Sequence, residues 1–277
     1  MNGKIRQIVK RFIPPILLSL KNKTSSKYGY FGDYKNWEEV EKISSGYSSD
    51  TIIEKVRSGA LKVKNGEAVY ERDSVVFNKV DMSWPLLSGL LWIAGQNENH
   101  LRVIDFGGSL GTSYYQNRIF LKHLEELQWD IIEQDKFVDI GNREFKDDVL
   151  SFYYEKDLEK LAETKKSNVM VISSSLQFLP DPYDFIRKVS TLNIPYLIFD
   201  KIPFSINSDD NNRLMLQKVP PKIYDASYPV WIFGLNNFLS KVGKCYELIA
   251  DFDAYPGYIQ DIKNGQMHYK GFIFKKY

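Results

Sequence analysis

The chain has 277 residues, 43% hydrophobic and 26% charged, which suits one large globular domain or a core with an appended subdomain and excludes wholesale disorder. A net charge of +2 speaks against a dedicated nucleic-acid protein, and the single cysteine, Cys245, excludes an intrachain disulfide framework and fits a reducing, cytoplasmic compartment. One Cys and three His speak against a structural zinc site, and no metal is expected. No apolar run reaches the roughly 20 residues of a membrane-spanning helix.

The first 30 residues hold seven Lys or Arg and no acid. Ile5, Ile8, Val9, Phe12 and Ile13 fall on one face of a helix, with Lys4, Lys10 and Arg11 off that stripe, and Pro14-Pro15 stop it. The broken apolar run and the lack of a small-residue cleavage site exclude a signal peptide. Two readings stand level: peripheral contact with an anionic membrane through residues 1–24, or a helix docked on the protein's own core. Next, Asn36 before Trp37-Glu38-Glu39 and Ser48-Ser49-Asp50 before Thr51–Gly59 have the form of helix caps. Residues 60–80 are polar and short-patterned. Ser83–Gly95, SWPLLSGLLWIAG, predicts a strongly apolar helix.

Leu101–Gln116, LRVIDFGGSLGTSYYQ, predicts a buried parallel strand, a tight glycine turn and a helix start. Glycines in such a turn let backbone N–H groups approach a ligand that any Cβ would hold off. An ordinary strand-to-helix turn is the bland alternative. A dinucleotide site would read Gly-x-Gly-x-x-Gly; here Asp105 precedes the first glycine by two positions and the glycines read Gly107-Gly108-x-x-Gly111. The helix is predicted over 114–127. The next strand, Trp129–Glu133, ends in an acid 22 residues past Gly111. Further strands are predicted at Val149–Tyr154, Asn168–Ser173 and Tyr196–Asp200, with helices at 156–164 and 183–190 between them. Residues 203–229 are expected to be loop-rich, with Pro203, Pro220, Pro221 and Pro229, an insertion able to shape a substrate pocket, and 231–243 to be helical. The last two strands are Tyr246–Phe252 and Gly271–Lys275, separated by an Asn264-Gly265 turn.

The turn DFGGSLG resembles the first motif of class I S-adenosylmethionine (SAM) methyltransferases, Asp/Glu-x-Gly-x-Gly-x-Gly, with its middle glycine shifted by one. The pieces SGYSSDTIIEKV, DFGGSLGTSYYQ, WDIIEQ, SSSLQFLPDP, FDKIPF and SYPVWIF resemble, more closely, bacterial methyltransferases associated with surface-polysaccharide (capsule and O-antigen) gene clusters. The resemblance implies an α/β, Rossmann-like seven-stranded sheet with an antiparallel last strand and an N-terminal helical extension. Its regions would be a basic segment 1–27, a helical lid over 28–97 and a SAM-binding domain over 98–277. It makes Asp105 a partner for the methionine end of SAM, Glu133 a ribose ligand, and Gly107, Gly108, Ser109, Gly111, Gln134, Ser174, Ser175 and Gln177 further cofactor contacts.

The implied activity is O-methylation of a small polar acceptor in glycan biosynthesis: a sugar, nucleotide-sugar or phospho-metabolite. S-adenosylhomocysteine would be the product, and no nucleic acid a partner. A hydroxyl acceptor needs a base, for which Asp200 and His268 are the candidates and Tyr228 a weaker one; a phosphate wants cations such as Lys201, Arg213 or Lys218. A SAM-binding scaffold without catalysis is the alternative from another class, and a nicotinamide oxidoreductase is disfavoured by the glycine spacing.

Overall fold

A computed structural model describes residues 27–46, 50–72, 74–206, 210–221, 223 and 225–277. The expected basic helix around residues 5–13 and the Ser48-Ser49 part of the second cap lie outside the described residues. The other cap is present: the Asn36 side chain accepts from the Glu39 N–H at 3.0 Å, opening α1 (Trp37–Glu41).

The molecule is built on a central sheet in the order β11-β13-β8-β7-β4-β5-β6. These strands are β4 (His100–Phe106), β5 (Glu126–Glu133), β6 (Leu150–Tyr154), β7 (Val169–Ser173), β8 (Tyr196–Ser205), β11 (Tyr246–Asp253) and β13 (Gly265–Lys276). Five neighbours from β6 to β8 pair in parallel, and β13 runs antiparallel to both β8 and β11. β12 (Gln260–Ile262) adds an eighth strand as a hairpin on β13, turning through Asn264 at φ +58°. This is the Rossmann-like α/β class the resemblance implies, including the antiparallel last strand.

Alternation along the strands makes two cores. Val103, Val169, Val171 and Ile198 face α2 (Asp50–Lys64), α3 (Trp84–Gly95), α4 (Thr112–Leu121) and α5 (Asp135–Ile140). Ile104, Met170, Ile172, Leu197 and Phe199 face α6 (Leu158–Lys165), α7 (Pro182–Thr191) and α8 (Leu235–Val242). On the second face Phe199, Phe204, Phe238 and Phe272 meet edge to face at 5.1–5.5 Å. α3 lies close on the sheet because Gly89 carries no side chain; a Cβ there would come within 2.9 Å of Ile273.

Several elements differ from expectation. The helix after the glycine turn stops at Leu121, not at residue 127, because Glu126 belongs to β5, paired with His100 and ion-paired to Arg102. Residues 203–229 are largely sheet. β8 continues to Ser205, and β9 (Arg213–Val219) lies between β10 (Ala226–Ile232) and β1 (Gly29–Tyr34) in a second, antiparallel sheet. The prolines fit: Pro203 lies past the last β7 pair, Ser173–Asp200, and Pro229 is on β10, an edge strand. Trp231 and Ile232 therefore extend a strand, and the helix expected from 231 begins at Leu235. Residues 28–97 carry strands as well as helices: β1, and the hairpin β2 (Tyr70–Arg72) and β3 (Val75–Phe77).

Candidate functional site

The carboxyl ends of β4, β5, β7 and β8 open into a cavity of about 560 Å³. Its floor is the glycine turn, the Glu133-Gln134 corner and the loop Ser173–Leu179; its walls come from the β2 strand, α1, β1, β9, β10 and the Tyr255 and Tyr269 side chains. Ligands in open α/β folds bind at this edge of the sheet.

The turn has the geometry its glycines allow. Gly107 and Gly111 hold φ of +72° and +99°, conformations that L side chains adopt at a cost. A Cβ on Gly107 would meet Ser175 Cβ at 2.5 Å, and one on Gly108 would meet the Asp105 carboxylate at 2.7 Å. Ser175 Oγ donates to Phe106 O at 2.7 Å and ties the β7 loop to the turn. Left-handed backbone recurs at Ser109, Ser174 and Lys201, so strain gathers along one edge of the sheet.

Of the twelve leading cofactor and catalytic candidates from the sequence, Gly107, Gly108, Ser109, Glu133, Gln134, Ser174, Ser175 and Gln177 line the cavity, as does Tyr228, the weaker candidate base. Glu133 is half-buried and accepts from the Gln134 N–H at 2.7 Å. Burial pushes its carboxyl up to about 7, against the pull of the Gln134 and Ser109 N–H groups. Gln177 is 2% exposed; its Nε2 donates to Ser174 Oγ at 3.1 Å while its Oε1 has no partner. An unpartnered acceptor at a cavity wall is a place for a ligand N–H or O–H.

The other four lie elsewhere. Asp105 is under the turn, 1% exposed, accepting from Trp129 Nε1 at 3.0 Å; burial pushes it up to about 7. Gly111 is the N-cap of α4, against Leu150 and Tyr115. Asp200 is wholly buried, and its carboxylate is taken up by Lys201 Nζ at 2.8 Å, Ser173 Oγ at 3.1 Å and Ser83 Oγ at 3.5 Å. His268 sits on β13 opposite Phe204, outside the cavity lining, where burial and Lys270 lower its pKa against the pull of Asp253. Of the expected cations, Lys201 and Lys218 line the cavity; Arg213 is buried and engaged with Asp33 Oδ2 at 2.9 Å and Lys263 O at 2.6 Å.

Sequence reasoning missed Tyr70, Glu71 and Arg72, which enter the wall through the β2–β3 hairpin. Glu71 is buried and accepts from Ser74 N at 2.7 Å and Thr112 Oγ1 at 3.2 Å, joining the hairpin to the start of α4. The available signal was a pair of short apolar runs, Ala68–Tyr70 and Val75–Phe77, on either side of the turn-forming Asp73-Ser74. Tyr30 and Tyr269, whose hydroxyls meet at 2.6 Å, come from β1 and β13 and carried none. Among the described residues no group of His, Cys, Asp and Glu could hold a metal ion, and no helix is long and apolar enough to cross a membrane.

No family model and no curated protein matches the chain. Solved structures do. The N-terminal domain of EvdMO1, determined in the presence of SAH and D-fucose, aligns over 84% of this chain and 100% of its own with 9% identity and a TM-score of 0.49. A SAM-dependent methyltransferase from Clostridium acetobutylicum aligns over 71% of this chain and 93% of its own, at 10% identity and a TM-score of 0.45. Another from Methanosarcina mazei aligns over 70% of this chain and 97% of its own, at 13% identity and a TM-score of 0.45. The fold assignment rests on the sheet order above, not on these likenesses.

Proposed function

We propose that the protein is a SAM-dependent methyltransferase that methylates an oxygen of a small polar acceptor in surface-glycan biosynthesis. The observation that carries this reading is the meeting of the Gly107–Gly111 turn, Glu133 and the Ser174–Gln177 loop around one cavity at the carboxyl end of the sheet. The residues fit the cofactor in two respects. The turn is built for glycine, since a Cβ on Gly107 or Gly108 would run into Ser175 or Asp105, and Gln177 Oε1 is a buried acceptor with no partner. SAM supplies an electrophilic methyl group on a sulfonium.

The chain's own contribution is binding and alignment. The turn's backbone approaches the ligand, Glu133 accepts from the ribose hydroxyls, and Gln134, Ser174, Ser175 and Gln177 bound the site. Asp105 stands behind the turn, where a carboxylate would face a cationic methionine end across Gly108.

Calorimetry with S-adenosylhomocysteine tests the reading. Wild type should bind. Gly107→Val should abolish binding, since its side chain would drive into Ser175 and break the left-handed turn. Glu133→Ala should weaken binding by roughly 1–3 kcal/mol, the usual cost of a charge-assisted hydrogen bond. Unchanged affinity in both variants would remove the assignment.

For residues 1–24 the two readings from the sequence are docking on the protein's own core and reversible attachment to an anionic membrane, the latter worth about 1 kcal/mol for each basic residue near the surface. On the membrane reading, vesicle flotation should show salt-sensitive binding that disappears when these residues are deleted; flotation that survives the deletion would refute it.

A further inference from the structure

We propose that the acceptor oxygen reaches the protein already ionised, on a phosphate or a carboxylate, and that Lys201 is the residue that holds it. This rests on the methyltransferase reading and narrows it to one class of acceptor.

The geometry turns on a bend halfway along β8. Beyond Asp200, the last residue paired with β7, the chain turns through Lys201 at φ +57° and sends its side chain to the cavity wall. The ammonium stands 2.8 Å from Asp200 Oδ2. That carboxylate has no exposed surface and is itself fixed by Ser173 and Ser83. A buried, triply engaged carboxylate is a poor base but a firm anchor for a cation. An ammonium has three N–H groups; Asp200 takes one and leaves two for a ligand. Burial opposes charge on Lys201, yet Asp200, Tyr255 and Tyr70 outweigh it and hold the ammonium above its ordinary pKa. Arg72, paired with Asp81 at 2.8 Å, is a second cation on the same wall. Lys218 is a third: it stands 5.3 Å from the Phe31 ring and, among the described residues, has no carboxylate within ion-pair distance.

The same cavity is poorly supplied with groups to take a proton from a hydroxyl: Tyr228, the weaker candidate base, lines it, but a phenol must first lose its own proton. No histidine lines it. Of its carboxylates, Glu71 is buried on Ser74 and Thr112, Glu133 belongs to the ribose in the reading above, and Glu41 and Glu155 are exposed at the rim. An oxyanion needs no base. Its oxygen forms a bond to the methyl carbon while the carbon–sulfur bond breaks, the electron pair going to sulfur. The oxyanion loses one negative charge, giving a neutral methyl ester from a carboxylate or a still-anionic methyl phosphodiester from a phosphate; the sulfonium becomes a thioether, and no proton moves. Lys201 then positions the nucleophile, which is most of what such a displacement asks of a protein.

Calorimetry on the full chain loaded with S-adenosylhomocysteine, using inorganic phosphate and acetate as probes, tests this without turnover. Lys201→Met alone would leave Asp200 buried without its partner and could fail to fold. The paired change Asp200→Asn with Lys201→Met removes both charges together. Wild type should bind at least one anion; the double variant should lose tenfold or more of that affinity and keep S-adenosylhomocysteine within about twofold. In a metabolite pool with labelled donor, label should enter acidic compounds. Alkali-labile label identifies a carboxylate acceptor, and an alkali-stable phosphodiester a phosphate. Binding of neither anion by wild type, equal anion binding by the double variant, or label in neutral sugar ethers overturns the proposal. Failure to bind S-adenosylhomocysteine at all would instead refute the reading beneath it.

Discussion

Burial pushes the Asp105 carboxyl up to about 7, with Trp129 Nε1 and Lys201 pulling the other way. A carboxylate raised in the folded state binds its proton more tightly there than in the unfolded chain. Its effect is therefore absent below the unfolded pKa near 4 and grows as pH rises to about 7, where the folded protein must bury the charge. Asp105→Asn should match wild type in stability near pH 4 and exceed it above pH 7, by on the order of a few kcal/mol. Urea melts at several pH values check this; a constant offset would mean that the carboxyl is not buried as described. This residue also marks how far a single position can be read from sequence. The acid two places before Gly107 announced itself, because its chemistry and spacing are local. Its retreat under Gly108 did not, because it depends on Trp129, a neighbour supplied by the next strand. Lys201 was visible as a cation, but neither its left-handed backbone nor its pairing with Asp200 has a local signature.

At the scale of elements, α8 shows how a helix is fixed from a distance. It opens at Gly234, and its first turn has no capping side chain of its own. Asp210, from the segment between β8 and β9, takes the Asn236 and Asn237 N–H groups on its two oxygens at 2.8 Å each. Asp210→Ala should cost about 1–2 kcal/mol, the usual range for a lost cap, read as a shift in urea midpoint. A neutral result would mean that water replaces the carboxylate without loss. The central strands and α7 were legible because period and caps agree: Asp181 accepts from Asp184 N at 2.9 Å with Pro182 in the first turn. β9 and β10 were not, since four prolines in residues 203–229 have the look of a loop; in the fold Pro220 and Pro221 make the turn between the two strands, and Pro229 is tolerated because β10 is an edge strand.

For the whole molecule, the two sheets should differ in durability. β4 and β7 are covered on both faces by the two cores, whereas β1, β9 and β10 form a small sheet with an open edge. Local opening tracks burial and exposed ladders. Hydrogen exchange should therefore show β1, β9 and β10 exchanging together and well before β4 and β7; protection of β9 equal to that of β7 would contradict this. The small sheet also unites distant parts of the chain, since Gly29 pairs with Lys218 and Tyr34 with Leu214. On the ribosome, which adds roughly 5–20 residues per second, β1 is made first and waits on the order of ten seconds or more for its partner. The turn and its flanking strands can close in that interval, so the half of the cavity assigned to the methyl donor can take shape while the acceptor half still lacks a wall. On the proposed reading, the nascent chain would pass through a stage able to hold a donor but not to enclose an acceptor, with Tyr30 and Phe31 still awaiting the strand that pairs with them.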